Sequence, residues 1–206
     1  MLKQLIIVGA SGHGKVVADI AMKMNRWERI FFLDDDTSIK KLIGFDVVGA
    51  TIDAIKYKEK ADFFVAIGNN ETRKKVQENF VAQGLNIVTL VHPNAVIGTD
   101  VEIGIGTVIM AGVVINSSTQ IGNGCIINTC SSVDHDNEIK DYVHLSPGVR
   151  TAGNVTVDHT TWLGIGSVIS NNVYICDECK IGAGAVVINR ITEPGIYLGV
   201  PARRLN

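Results

Sequence analysis

The chain opens on Leu5-Ile6-Ile7-Val8, an unbroken aliphatic run that stops at Gly9-Ala10-Ser11-Gly12-His13-Gly14. Behind the glycines, Val16, Val17, Ile20 and Ala21 recur at helical spacing. A second aliphatic run, Ile30-Phe31-Phe32-Leu33, stops at Asp34-Asp35-Asp36. A third, Val47-Val48, precedes a short helical pattern at Ile52–Tyr57, and a fourth, Phe63-Phe64-Val65-Ala66-Ile67, stops at Gly68-Asn69-Asn70. The spacing then predicts a helix over Glu71–Gln83, with Val76, Phe80 and Val81 on one face, and a closing strand over Asn86–Leu90. Strands alternating with helices predict a parallel α/β unit. Three of its strand ends carry Gly, Asp or Asn, and the crevice outside such ends is where ligands bind in this class of sheet.

Near residue 90 the pattern changes. Stepping by six from Val91 meets Val, Ile or Leu at every position to Val187 except Thr151. Four residues after most of these stands a small or β-branched residue, such as Thr107, Val113, Thr119, Cys125 or Ser131. A period of six suits neither an amphipathic helix nor a long alternating strand, and it is the repeat of a parallel β-helix, with one aliphatic residue per short strand pointing inward. Three hexapeptides per coil and a rung spacing of about 4.8 Å give a prism about 26 Å tall. The expected organisation is therefore residues 1–90 as a Rossmann-like unit and 91–206 as a β-helix with a C-terminal tail.

Composition agrees and removes alternatives. Hydrophobic residues are 46% of the 206, aromatics 6% and charged residues 19%, so disorder is excluded and the apolar content is aliphatic. The 21 glycines suit a fold with many tight turns. A net charge of −2 gives no footprint for nucleic acid or an anionic membrane. The first aliphatic run is shorter than a signal h-region of about 7–15 residues, which points to a cytoplasmic protein without membrane insertion. Cys125, Cys130, Cys176 and Cys179 form neither a disulfide framework nor a zinc spacing with a second ligand pair, so they are read as small core or turn residues and no metal is expected.

The chemistry centres on His135. Removing a proton from an attacking nucleophile needs a base, and imidazole suits neutral pH. Asp134 and Asp136 flank the histidine, which falls two residues past the inward Val133 and so faces outward. Gly153 lies one coil further on, where its N–H is a candidate oxyanion donor. The Gly9–Gly14 loop suits phosphate oxygens, but its spacing is Gly-x-x-Gly-x-Gly and not the dinucleotide fingerprint. Asp34–Asp36 reads either as a ribose-binding acid cluster or as a solvated turn.

These motifs, with Ala66-Ile67-Gly68-Asn69-Asn70, Arg73-Lys74-Lys75, Ser131-Ser132-Val133-Asp134-His135-Asp136, Val143-His144, Ala152-Gly153-Asn154 and Gly199-Val200-Pro201-Ala202-Arg203-Arg204, carry a resemblance over nearly the full length. The chain resembles the bacterial sugar O- and N-acetyltransferases that join a Rossmann-like domain to a left-handed β-helix. It is most like those acting on UDP-4-amino sugars in the bacillosamine pathway, with sialic acid O-acetyltransferases as near relatives. The resemblance implies acetyl-CoA as cosubstrate, a UDP-linked amino sugar as acceptor and a homotrimer with the acetyl donor between prisms. It implies His135 as general base supported by Asp136, which stands where the nearest relatives carry Glu. Ser11, Gly12 and His13 are implied near the nucleotide sugar, Asp34 and Asp35 on the uridine, Gly68 in the pocket lining, and His144, Ile165 and Ala183 in the acetyl-CoA site. Arg203 and Arg204 meet the coenzyme phosphates or form a solvated tail; His92 and His159 are expected at the surface. Sugar O-acetylation, a non-catalytic solenoid and an NAD-dependent oxidoreductase are the competing readings, and the last leaves residues 91–187 unexplained.

Overall fold

The structure, a computed structural model, describes residues 4–205. The chain divides into two compact units, one ending at Pro93 and the other beginning at Asn94.

The first unit is an α/β layer. Strand β1 (Gln4–Val8) lies between β2 (Arg29–Leu33) and β5 (Ala61–Val65), all parallel, with Val8 opposite both Leu33 and Val65. Leu5, Ile6, Ile7 and Val8 are essentially inaccessible, as expected of a parallel strand covered on both faces. Helix α1 (Gly12–Met24) follows β1 and buries Val17, Ala18, Ile20 and Ala21. Val16, placed on that face by spacing, is instead exposed. Helix α2 (Asn70–Ala82) begins at Asn69, whose side chain accepts from the Thr72 N–H at 2.9 Å. Its buried face is Asn70, Arg73, Gln77 and Phe80, so Val81 turns to solvent.

Two expected strands are reduced. In place of Val47-Val48 the chain forms an antiparallel hairpin, β3 (Lys41–Leu42) and β4 (Phe45–Asp46), around Ile43 and Gly44, both at positive φ. Val47 keeps only a bridge to Phe32. A β-branched residue at a left-handed turn position is unfavourable, so Ile43-Gly44 gave no hairpin signal. Of Asn86–Leu90, only Ile87 pairs with β5, through Phe63. His92 is a further correction: it is buried, not on the surface.

The second unit is a parallel β-helix of two-residue rungs in three sheets. The first sheet has six strands from Val96–Ile97 to Val186–Val187, and the second has five from Glu102–Ile103 to Tyr174–Ile175. Within this unit the third runs from Val108–Ile109 to the C-terminal hairpin of Ile196–Leu198 and Arg203–Arg204. Each rung pairs with the one a full coil on: Val114 with Ser132, Gln120 with Glu138, Ile126 with His144. From Ile109 to Val187, the second residue of each rung is buried, and so is the residue four further on, for example Ile115 and Thr119, whereas Ile97 in the first coil is exposed. Each hexapeptide in that stretch thus buries two side chains where the aliphatic repeat alone indicated one. A left-handed backbone residue recurs at every sixth position from Asp100 to Gly184, one per corner. No helix among the described residues is long and apolar enough to cross a membrane, and no cluster of His, Cys, Asp or Glu among them could hold a metal. Cys125, Cys176 and Cys179 are buried free thiols, Cys179 is pushed up to about 12 by burial, and Cys130 is exposed.

Candidate active site

His135 projects from the corner after the rung Ser132–Val133, with 61% of its side chain exposed. Its Nδ1 meets Asp136 Oδ2 at 2.6 Å. With Nδ1 donating to the carboxylate, Nε2 is left as the proton acceptor. Asp136 holds the left-handed position of its corner, φ 57°. That bond, ahead of the nearby charges of Asp134 and Asp136, raises the His135 pKa above its ordinary value. Asp134 Oδ1 accepts from the His135 N–H at 2.9 Å and from Asn116 Nδ2, one coil earlier, at 2.7 Å. The Asn116 bond is the largest cause of a depressed Asp134 pKa, so that carboxylate stays charged beside His135.

Gly153 stands one coil beyond. A Cβ on it would lie 2.6 Å from His135 Cε1 and 2.7 Å from Nε2, so only glycine accepts the ring in this pose.

The residues expected around acetyl-CoA gather on another part of the prism. His144, on a rung of the third sheet, stacks on Trp162 of the next rung with centroids 5.4 Å apart and planes 11° from parallel. Trp162 Nε1 donates to Ser146 Oγ at 2.6 Å, and His144 Nε2 lies 3.3 Å from Asn128 Nδ2. Ile165 and Ala183, both exposed, occupy successive corners joined by the Gly184 N–H to the Ile165 carbonyl. Sequence reasoning missed Trp162, although it lies one coil from His144 on an outward rung position. Chain order places the whole six-stranded sheet between the Ile165–Ala183 corners and the His135 corner. A single prism therefore does not bring these two groups together.

In the first unit, the ends of β1, β2 and β5 lie side by side and assemble the other expected residues. Gly9 has φ 107°, and a Cβ there would meet the Ala66 carbonyl oxygen at 2.8 Å; one on Gly14 would sit 2.2 Å from the Gly9 oxygen. Those two glycines make the tight strand-to-helix turn, whereas Gly12 and Gly68 face open space. Ser11 and Gly12 are exposed on the loop. Asp34 has both oxygens engaged, by the N–H groups of Ala10 at 2.6 Å and Asp36 at 2.8 Å, and Asp35 accepts from Thr51. The Asp34 carboxylate thus braces the loop. Arg73, fully buried on α2, donates to the Ile67 and Gly68 carbonyls and to Asn70 Oδ1. Burial first, then the Arg73 charge, lowers His13 to about 4, so its ring is neutral, and its buried Nε2 has no hydrogen-bond partner among the described residues.

The six-residue coil and the exposed His–Asp corner define a hexapeptide-repeat acyltransferase scaffold. Residues 4–80 match the PglD N-terminal domain. The chain is 32% identical over 172 residues to a GDP-perosamine N-acetyltransferase of Escherichia coli O157:H7, covering 81% of this chain and 78% of the relative. It is 35% identical over 128 residues to the UDP-N-acetylbacillosamine N-acetyltransferase of Bacillus subtilis (strain 168), covering 53% of this chain and 52% of the relative. The acetyltransferase domain of PglB from Neisseria gonorrhoeae FA1090, in complex with acetyl coenzyme A, superimposes with TM-score 0.96 at 35% identity over the full length of both chains. The chain belongs to the bacterial sugar N-acetyltransferases of the left-handed β-helix family, enzymes that use acetyl-CoA as cosubstrate.

Arg203 and Arg204 lie in the C-terminal hairpin, where Arg204 pairs with Glu193. His159 is half exposed beside Asp158 and Asp141.

Proposed function

We propose that the protein transfers acetyl from acetyl-CoA to the 4-amino group of a UDP-linked amino-deoxy sugar, with His135 as general base. The observation that carries this reading is the His135–Asp136 pair set against Gly153 on an exposed corner. The amine nitrogen attacks the thioester carbon while His135 Nε2 takes its proton. The tetrahedral oxyanion is held by the Gly153 N–H. The C–S bond then breaks and the coenzyme thiolate recovers the proton from the imidazolium. No acyl-enzyme intervenes. The nucleotide sits over the Gly9–Gly14 loop, with Ser11, Gly12 and His13 beside it, Asp34 and Asp35 towards the uridine, and Gly68 in the wall.

Acetyl-CoA lies along the His144, Ile165 and Ala183 edge. The separation of this edge from His135 within one prism supports a homotrimer in which each donor site is completed by the neighbour's base.

Thiol release from acetyl-CoA tests the reading with a panel of UDP- and GDP-linked 4-amino sugars and free and CMP-linked sialic acid. UDP-4-amino sugars are expected to turn over fastest. Preference for GDP overturns the nucleotide assignment, and turnover confined to sialic acid overturns N-acetylation. His135→Ala is expected to lose most turnover while still binding acetyl-CoA; full activity in that variant refutes the base.

A further inference from the structure

Inside the β-helix, the column of residues four beyond each aliphatic position carries hydroxyls that tie successive coils together. Thr107 Oγ1 donates to the Gly122 carbonyl at 2.7 Å, Thr119 to Asp134 at 2.9 Å, and Thr161 to Cys176 at 2.9 Å. Elsewhere the column holds valines such as Val113, Val143 and Val155. Asn137 interrupts it. Its side chain is inaccessible, and Nδ2 reaches three carbonyls: Asp134 at 2.8 Å, His135 at 3.1 Å and Ala152 at 2.8 Å. Carbonyls only accept, so the amide nitrogen must be the end that faces them. Oδ1 is left buried without a hydrogen-bond partner among the described residues. A threonine or valine would satisfy the interior with less penalty, as in the other coils, so the amide answers a requirement other than coil stability.

That requirement lies directly outside it. The three carbonyls belong to the corner that carries His135 and to the residue preceding Gly153. We propose that Asn137 is a positioning residue for acetyl transfer, clamping the His135 corner to the Ala152-Gly153 corner so that the base and the glycine N–H converge on one reacting centre. The proposal rests on the assignment of His135 and Gly153 made above. Misplacement of a catalytic group by 1 Å is enough to slow an enzyme about 10²-fold.

Asn137→Val removes all three bonds and places in the column a residue it already accommodates. Asn137→Thr keeps a donor for the Ala152 carbonyl, as Thr119 does for Asp134, and serves as the deciding variant if Asn137→Val does not fold. Steady-state kinetics are expected to show kcat at least tenfold lower in Asn137→Val, with KM for acetyl-CoA and the nucleotide sugar within twofold of the parent, and Asn137→Thr in between. Thr161→Val loses the same kind of interior bond at a corner without a proposed site residue, and is expected to lower Tm while keeping kcat. Asn137 variants turning over within twofold of the parent overturn the proposal, as does an equal kcat loss in Thr161→Val. Full turnover in His135→Ala is a separate outcome that removes the base assignment itself.

Discussion

The ring of His135 and the backbone of Gly153 are packed so closely that no side chain fits between them, although the two residues are a full coil apart. The two residues proposed as base and oxyanion donor are thus held by β-pairing between coils and not by a mobile loop.

Gly153→Ala is expected to push the exposed His135 ring aside without disturbing the aliphatic interior. Turnover should fall about 10²-fold, the scale for a displacement near 1 Å, with the circular dichroism spectrum unchanged. An alanine variant with parental kcat would remove Gly153 from the mechanism.

The Asp136 bond sets the pH dependence. Because it raises the His135 pKa, the neutral base is lost as pH falls through a value above the ordinary 6.5, and the acid limb of kcat/KM should lie there. Asp136→Asn replaces the carboxylate with a neutral amide, so the limb should move to lower pH and the plateau should drop about tenfold, within the range for acid–base catalysis. Profiles from pH 5 to 9 for the two proteins decide; an unmoved limb contradicts the assignment.

Two glycines of one loop should respond oppositely. Gly14→Ala drives a Cβ into the Gly9 carbonyl and against Phe32, and is expected to destabilise the first unit by about 1–3 kcal/mol or more. Gly12→Ala meets nothing within 4 Å and gains helix propensity of up to about 1 kcal/mol, while raising KM for the nucleotide sugar. Urea titration and substrate saturation separate the two effects.

His13 makes stability fall with acid. Its folded pKa of about 4 lies below the ordinary 6.5, so between these values the unfolded chain binds a proton that the folded one refuses. Stability present above pH 6.5 is lost as pH drops towards 4, by about 3 kcal/mol on the linkage relation. His92, also lowered by burial, acts in the same direction. Urea unfolding at pH 4.5 and 7 should show a smaller loss in His13→Gln than in the parent; equal losses would rule out His13 as the source.

The β-helix is legible in the sequence because its period is short and its interior accepts little besides aliphatic and small side chains. The outward pose of His135 follows from its offset to Val133, and the Gly153 contact from the spacing of one coil. The misses are polar or turn-dependent. The buried face of α2 carries Arg73 and Gln77, which no hydrophobic count would place inside. The Ile43-Gly44 hairpin depends on a left-handed isoleucine. Asn137 falls outside a pattern of small and β-branched residues, and what it bonds is visible only once three carbonyls are brought around it. Asp34 is visible in the sequence as an acid at a strand end, but not the bonds by which its Oδ2 accepts from the Ala10 N–H and its Oδ1 from the Asp36 N–H.

The left-handed residue at every sixth position gives the second unit a reading frame. One residue added or removed within a coil would turn every later inward side chain outward, and between His135 and Gly153 it would carry the histidine away from the glycine. A whole coil inserted above or below would leave the contact between His135 and Gly153 untouched. Length in this protein is free to change in steps of one coil, except across the single step between His135 and Gly153.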